Sequence, residues 1–479
     1  MYVVSGKQAI GRCLRRFSVP AACSYGINSR RYALSSSVAS GVDTEISAKG
    51  EVKNNKCILN TMFNRDSTTI VYSYGGGDTV SVAFSNVFLR DSSRSSTSMD
   101  PVTGQKLFTT GSLLLNDSST IPKRVEIVED GNCVEIGWSD GDTYAYPLEF
   151  IHKYAGLEPT KRRSKHRPVL WDKKLLKSNI QDLLSIDYES FMSSDNDSQL
   201  YQTLVNLQKY GVSFIANIPD ESTTGPDSWY VKKIAERIGH IRHTFYGELF
   251  DVVNNPNAEN IAYTTFPLPL HMDLLYLDCV PGWQLLHAIK NSSGDGSSGM
   301  NYFADAFHAA RYVKDTDGDA YDALLHMPIN YGYDRDDKRY HQSRPLIEEH
   351  DFGEENSLSS QFNELIKCVN YSPPFQKPFT YGIWEKSKGS TVATPHGKLT
   401  ERFVFKDFQR GLALFHKYIN EPANQFRLKL PEGVCVIFNN RRILHARTGF
   451  EGERWLKGCY LDNDSVLSRL HYLEEKFGN

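Results

Sequence analysis

Between Thr68 and about Tyr146, apolar and polar residues alternate with a period of two. The runs are TTIVYSY, VSVAFSNVFL, and then KRVEIV and CVEIGW joined through Glu129-Asp130-Gly131-Asn132. Successive side chains of a strand point to opposite faces, so this period predicts half-buried strands, with a hairpin at the turn residues. A small β-rich N-terminal domain over residues 43–155 is expected, residues 44–66 being polar and read as the link into its body. The stretch 154–174, YAGLEPTKRRSKHRPVLWDKK, is basic, contains Pro and has no period, which marks it as a domain boundary.

From about residue 170 to 479 the two periods mix. QLYQTLVNLQKYG (199–211) and WYVKKIAERIG (229–239) carry the 3.6-residue pattern of amphipathic helices and stop at Gly. DAFHAARYV, RGLALFHKYI and DSVLSRLHYLEEKF read the same way. Strand-like runs dominate elsewhere: VSFIANI, ENIAYTTF, WQLLHAIK, RFVFKDF, FRLKL, GVCVIFN, RILHAR and WLKGCYLD. Strands at this density, with helices to cover them, predict an α+β domain built on a curled sheet. No repeat of 20–50 residues is visible.

Composition adds limits. At 479 residues the chain can form two or three domains with a buried core. No run approaches the 18 apolar residues of a membrane span. The eight Cys are scattered without a C-x-x-C pair, which suits free thiols in a reducing compartment. Residues 1–42 hold Lys7, Arg12, Arg15, Arg16, Arg30 and Arg31 but no acid, and are rich in Ser. That is the composition of a mitochondrial transit peptide, with Arg30-Arg31-Tyr32 as a processing site and the matrix as destination. The remaining chain carries 48 basic and 57 acidic residues, a net of -9, so it offers no basic platform for nucleic acid.

The candidate chemistry lies in His271-Met272-Asp273, in His445 174 residues later, and in Arg454 nine residues further on. Two imidazoles and one carboxylate, with the opposite face of a metal left open, form the ligand set of non-haem Fe(II) oxygenases. A following Arg suits a dicarboxylic co-substrate, whose carboxylate it can hold by two parallel hydrogen bonds.

Around these residues the chain resembles the γ-butyrobetaine/trimethyllysine dioxygenase family, within the wider taurine-dioxygenase-like 2-oxoglutarate oxygenases. The stretches that carry the resemblance are IAERIGHIRHTFYGELFDV (234–252), NIAYTTFPLPLHMDLLYLDCVPGWQLLHAIK (260–290), DAFHAA (305–310), VIFNNRRILHARTGF (436–450) and RWLKGCYLDNDSVLSRL (454–470). LRD at 89–91 and GWSDGD at 137–142 extend it towards the N-terminus.

The resemblance implies a double-stranded β-helix (jelly-roll) catalytic domain over 170–479. His271, Asp273 and His445 match its iron ligands, and Arg454 matches the Arg that binds the distal carboxylate of 2-oxoglutarate. Fe(II), 2-oxoglutarate and O2, with ascorbate as reductant, are then the expected cofactors, and succinate and CO2 the co-products. Where the family has a Gly-Gly-x-Ser/Thr turn, this chain has Ser298-Gly299-Met300-Asn301, with Asn301 as the stand-in for the hydroxyl. Tyr246, Phe250, Tyr263 and Tyr460 match an aromatic cage that holds a trimethylammonium group by cation–π attraction, with Phe250 replacing a Trp. Lys406 and Asp407 fall where the family contacts the carboxylate end of butyrobetaine.

The family's N-terminal domain binds zinc through three Cys and a His. Ser93, Ser95, Ser98 and Asp142 stand in those places, so no structural zinc is expected. Homodimers are common in the family, and the resemblance allows one here. Three readings follow: hydroxylation of a small trimethylammonium substrate, γ-butyrobetaine first and trimethyllysine second; the same chemistry on an unrelated small amine or acid; or a non-catalytic mitochondrial protein with a relict site.

Overall fold

The computed structural model describes residues 56–75, 79–115, 118–155, 166–179, 183–221, 228–254, 263–291, 298–350, 365–382 and 398–477. The expected transit peptide, residues 1–42, lies outside them. The chain divides into two units, Met1–Glu158 and Pro159–Asn479.

Among the described residues the first unit holds six strands: β1 (Lys56–Phe63), β2 (Ser67–Tyr74), β3 (Thr79–Ser85), β4 (Pro122–Val128), β5 (Cys133–Trp138) and β6 (Thr143–Pro147). They form two antiparallel three-stranded sheets, β1-β2-β3 and β4-β5-β6. The expected hairpin across 129–132 joins β4 to β5. Ile58, Ile70, Tyr72, Phe84, Val134, Ile136, Trp138 and Tyr146 supply the inward side chains of one core. Two expectations change here. Residues 56–63 are not part of a polar link but strand β1, because Ile58 gives the run one buried anchor that pairs opposite Tyr72. NVFL continues not as strand but as the helix Asn86–Asp91, which buries Leu89 in the core.

The second unit holds β7 (Ser185–Asp187), β8 (Val212–Ala216), β9 (Phe250–Val253), β10 (Leu268–His271), β11 (Trp283–Asn291), β12 (Asn301–Asp305), β13 (Pro328–Arg335), β14 (Lys338–Pro345), β15 (Ile347–Glu349), β16 (Ile366–Val369), β17 (Phe426–Leu428), β18 (Val434–Asn439), β19 (Ile443–Arg447) and β20 (Arg454–Leu461). A six-stranded sheet runs β7-β8-β18-β11-β20-β9 and a four-stranded sheet β10-β19-β12-β17; β13-β14 and β15-β16 are separate pairs.

Strand alternation sorts the larger sheet into two cores. Trp283, Leu285, Cys435, Ile437, Cys459 and Leu461 face helices Ser198–Tyr210, Tyr230–Ile238 and Asn463–Phe477. The intervening Leu286, Ala288, Val436, Phe438, Leu456 and Tyr460 share a core with Leu270, Phe303, Leu444 and Ala446 of the smaller sheet. Phe303 meets Phe438 edge-on with centroids 5.6 Å apart, and Phe214 meets Phe426 at 6.5 Å, so the sheets close on each other. This is the jelly-roll arrangement expected of the catalytic unit.

The buried Arg442 locks the sandwich. Its guanidinium pairs with the buried Asp305 at 2.7 Å and donates to the carbonyls of Val169 at 2.6 Å and Lys209 at 2.9 Å. Its partners come from three parts of the chain, so one cation in the turn before β19 ties the end of β12, the helix Ser198–Tyr210 and the segment at Val169 together.

RFVFKDF, expected as a strand, lies in the helix Lys398–Asn420. Val404, Phe405, Phe408, Leu412, Phe415 and Ile419 recur every three or four residues, and all pack on the inner core, which the strand reading of a short window overlooked. Gly411 lets this helix approach Gly318–His326; a Cβ there would lie 2.7 Å from the Ala320 carbonyl. Of ENIAYTTF, residues 259–262 lie outside the described residues, and 263–266 form bends before β10, not a strand.

Candidate metal and co-substrate site

Strands β10 and β19 are antiparallel neighbours, and their register sets His271 directly opposite His445. Opposed residues of an antiparallel pair bring their side chains together, so two imidazoles far apart in sequence lie with ring centroids 4.2 Å apart. Asp273 follows just past the end of β10. Among the described residues, His271, Asp273 and His445 are the one group of His, Cys, Asp or Glu whose ligand atoms all lie within 4.8 Å of one another.

The surroundings fix how these groups point. His271 Nδ1 donates to the Pro269 carbonyl at 2.8 Å, which leaves Nε2 without a proton in the neutral ring. That Nε2 faces Asp273 Oδ1 at 3.3 Å. Two lone-pair carriers at this separation repel unless a proton or a cation lies between them. Asp273 Oδ2 accepts from the Tyr460 hydroxyl at 2.8 Å and stands 3.9 Å from His445 Nε2.

The Asn440 amide grips the backbone of Asp273 from both sides. Its Oδ1 accepts from Asp273 N at 2.8 Å, and its Nδ2 donates to the Asp273 carbonyl at 3.0 Å and to that of Pro281 at 3.2 Å. Leu274, the next residue, has φ of +62°, a conformation that a branched side chain adopts only when its surroundings impose it.

Burial and charge keep the triad ready to bind a cation. Burial, with His271 alongside, pushes His445 down to about 3 against the opposing pull of Asp273, so the ring is neutral near pH 7. Burial would raise the Asp273 carboxyl, but His271 and His445 when protonated, with the Tyr460 hydroxyl, outweigh it and hold the group below the usual carboxylate range. A neutral imidazole and an ionised carboxylate are the forms that ligate metal.

Arg454, at the start of β20, lines the same cavity, as do Asn301 and Arg447. Arg454 is 5% exposed, and its Nε and Nη1 have no hydrogen-bond partner among the described residues. Burial, followed by the neighbouring Arg447, pushes its guanidinium down to about 9. A buried cation with unmatched N–H groups fits an anion that enters with its own charge. Asn301 sits opposite Arg447 across β12 and β19, and its buried Oδ1 is also unmatched. The donor set and these unmatched atoms therefore fit a divalent metal and a carboxylate co-substrate.

The four expected aromatics line this cavity too. Tyr246 lies 6.4 Å from Tyr263 edge-on and 6.5 Å from Phe250, and Phe250 stacks on Tyr460 at 5.0 Å. Phe250 can seat there because its partner in the ladder is Gly458, where a Cβ would come within 2.6 Å of the Phe250 ring. Lys406 and Asp407 do not join them. They lie on the helix Lys398–Asn420, where Lys406 is exposed and Asp407 pairs with Arg410 at 2.6 Å, so neither lines the cavity.

Four polar or aromatic lining residues were not expected: Arg447, Gln284, Tyr276 and Phe375. Arg447 could have been found, since it stands two residues after His445 in a strand and shares its face.

In the first unit, the places read as a lost zinc site form a hydrogen-bonded cluster. Asp142 accepts from Ser93 at 2.7 Å, Thr97 at 2.6 Å, Ser98 at 3.1 Å and also from Ser95. Arg90 lies 3.5 Å from Asp142 and donates to Ser98 at 2.9 Å.

Residues 172–460 match the taurine catabolism dioxygenase TauD, TfdA family. The chain belongs to that family. A probable oxidoreductase of Saccharomyces cerevisiae, AIM17, is 48% identical over 438 residues, which cover 88% of this chain and 91% of the relative. The dioxygenase str8 of Strobilurus tenacellus is 33% identical, over 80% and 83% of the two chains. The mitochondrial trimethyllysine dioxygenase of Mus musculus is 26% identical, over 81% and 82%. The chain is a dioxygenase of the Fe(II)- and 2-oxoglutarate-dependent kind. No helix among the described residues of this dioxygenase is long and apolar enough to cross a membrane.

Proposed function

We propose that this dioxygenase hydroxylates a small trimethylammonium compound, γ-butyrobetaine or trimethyllysine, in the mitochondrial matrix. The observation that carries the reading is the aromatic group Tyr246, Phe250, Tyr263 and Tyr460 in the same cavity as the His271, Asp273, His445 triad. A quaternary ammonium has no N–H to donate, so aromatic faces are what can hold it. The relatives named trimethyllysine dioxygenase support this substrate class. The acid-free leader supports the location, as does the mitochondrial name of the mouse relative.

In this reading His271, Asp273 and His445 hold Fe(II), which with 2-oxoglutarate and O2 supplies the oxidising chemistry. Arg454 takes the distal carboxylate of 2-oxoglutarate in a bidentate pair, with Asn301 beside it. Tyr460 holds Asp273 in place through its hydroxyl while its ring serves the cage, so substrate and metal are fixed relative to each other. The cluster around Asp142 takes the place of a structural zinc. Hydroxyls bound to a carboxylate leave no thiolate for that metal.

Succinate release from 2-oxoglutarate, with Fe(II), ascorbate and a panel of betaines and amino acids, tests the proposal. A trimethylammonium compound is expected to couple turnover, and His271→Ala to abolish it. Turnover coupled only by an acid or amine without a quaternary nitrogen would support the second reading, for which the replacement of Trp by Phe250 speaks. An absence of iron and 2-oxoglutarate binding would leave the relict site.

A further inference from the structure

Arg447 stands beside Arg454 in the cavity, and both guanidinium groups lie over the Phe450 ring, at 4.8 Å and 5.6 Å. Their bonds differ. Arg447 Nη2 donates to the carbonyls of Thr264 at 2.5 Å and Phe266 at 2.9 Å. The Phe450 amide takes the carbonyl between them, Thr265, at 3.2 Å. Three consecutive carbonyls of the segment 264–266 are thus held by residues 447–450. That segment joins Tyr263 to β10, the strand that ends in His271. None of residues 263–267 is buried, and Phe266 is 68% exposed, so apolar packing contributes little to fixing the segment. Prolines at 267 and 269 keep it from extending β10 towards Tyr263.

We infer that Arg447 is a positioning residue that fixes Tyr263 for the substrate by clamping the 264–266 backbone, while Arg454 alone serves the co-substrate. The inference rests on the cage reading above in that Tyr263 is taken to meet the substrate. A guanidinium suits this task because one terminal nitrogen, Nη2, reaches both carbonyls and the planar group holds its two N–H bonds in fixed directions. Its place two residues after His445 on one strand joins the metal ligand, the clamp and the cage wall in one rigid unit.

The test uses the full chain loaded with Fe(II) and 2-oxoglutarate without oxygen, titrated with tetramethylammonium and followed by tyrosine fluorescence. Hydrogen exchange is read in parallel over 263–270 and over β11 and β18. Losing two charge-assisted hydrogen bonds, Arg447→Met is expected to weaken tetramethylammonium by about tenfold or more. Exchange should quicken over 263–270 and stay unchanged in β11 and β18, and the affinity for 2-oxoglutarate should fall less than that for tetramethylammonium. Arg447→Lys, which keeps a charged nitrogen with N–H donors but not the planar guanidinium that aims them, should recover part of both signals. A fall in 2-oxoglutarate affinity as large as the fall in tetramethylammonium affinity would overturn the inference and make Arg447 a co-substrate ligand. Faster exchange everywhere would overturn it too, as a general loss of stability. If the wild-type chain fails to bind tetramethylammonium, the cage reading falls, and exchange over 263–270 alone decides for or against the clamp.

Discussion

Asp142 and Asp273 each stand at the centre of a polar cluster, one in each unit, and they differ in what their oxygens meet. Asp142 meets donors: four hydroxyls and a guanidinium cover it. Asp273 meets one hydroxyl, and otherwise imidazole nitrogens, one of which carries a lone pair turned towards it. The first cluster is closed, with its charge matched inside the protein. The second is complete only with a cation. Saturation of hydrogen-bonding capacity separates a structural carboxylate from one proposed to ligate a metal, although both are acidic groups in largely buried surroundings.

Changes to either aspartate test that contrast, and the largest effect is expected at the triad. Asp273→Ala should weaken Fe(II) by more than about a hundredfold, beyond what the loss of an outer-shell partner costs. Equilibrium titration of the purified chain measures this, and iron affinity like that of the wild type would remove Asp273 from the ligand set.

Asn440→Ala follows. With the backbone of Asp273 released on both sides, Fe(II) affinity should fall about 10- to 100-fold while the first unit keeps its stability. An Asn440→Ala chain that binds iron normally but melts earlier would make the clamp structural.

Asp142→Asn should cost the first unit about 1–3 kcal/mol, since one amide cannot accept from all the donors and Arg90 loses one of its two carboxylate partners, keeping Asp140. Urea unfolding read at Trp138 checks it, with iron affinity unchanged. The pH dependence has a defined sign. Burial raises the Asp142 carboxyl, but Ser95, Thr97, Ser93 and Arg90 outweigh it and hold the group below its ordinary value of 3.8. The cluster therefore stabilises the fold above the unfolded value. Its contribution fades as pH falls below about 3.8 through the lower folded value. Stability that is flat across that acid range would contradict the closed cluster.

The smallest effect concerns the cage. Phe250→Trp restores the stronger cation–π partner and should tighten a quaternary ammonium by about two- to fivefold. Gly458 leaves little spare room under this ring, so weaker binding accompanied by a lower melting temperature would mean that the wall is already full.

Much of this was legible in the chain. The period-two runs marked β2, β4 and β5, the strand-like apolar runs marked β11 and β18, and the donor types at 271, 273 and 445 pointed to the proposed metal chemistry. Arg447 was legible too, had the strand period been followed two residues past His445. Lys406 and Asp407 misled because RFVFKDF is apolar enough to pass for a strand. Only the wider window to Ile419 shows the helical repeat that turns both residues away from the cavity. Nothing local marks Asn440, whose partners are 159 and 167 residues away.

The sequence by itself determined which chemistry was available: two imidazoles, one carboxylate, a following Arg, a set of aromatics, and Ser in place of Cys in the first unit. The tertiary structure decided which polar atoms remain unmatched. Pairing β10 with β19 put His271 opposite His445, and burial left Arg454 Nε and Nη1 without a partner among the described residues, while Asp142 gathered four hydroxyl donors. An acid or a cation is functional or structural according to the groups that reach it. Those groups arrive from distant strands whose register is set by packing, not by neighbours in the chain.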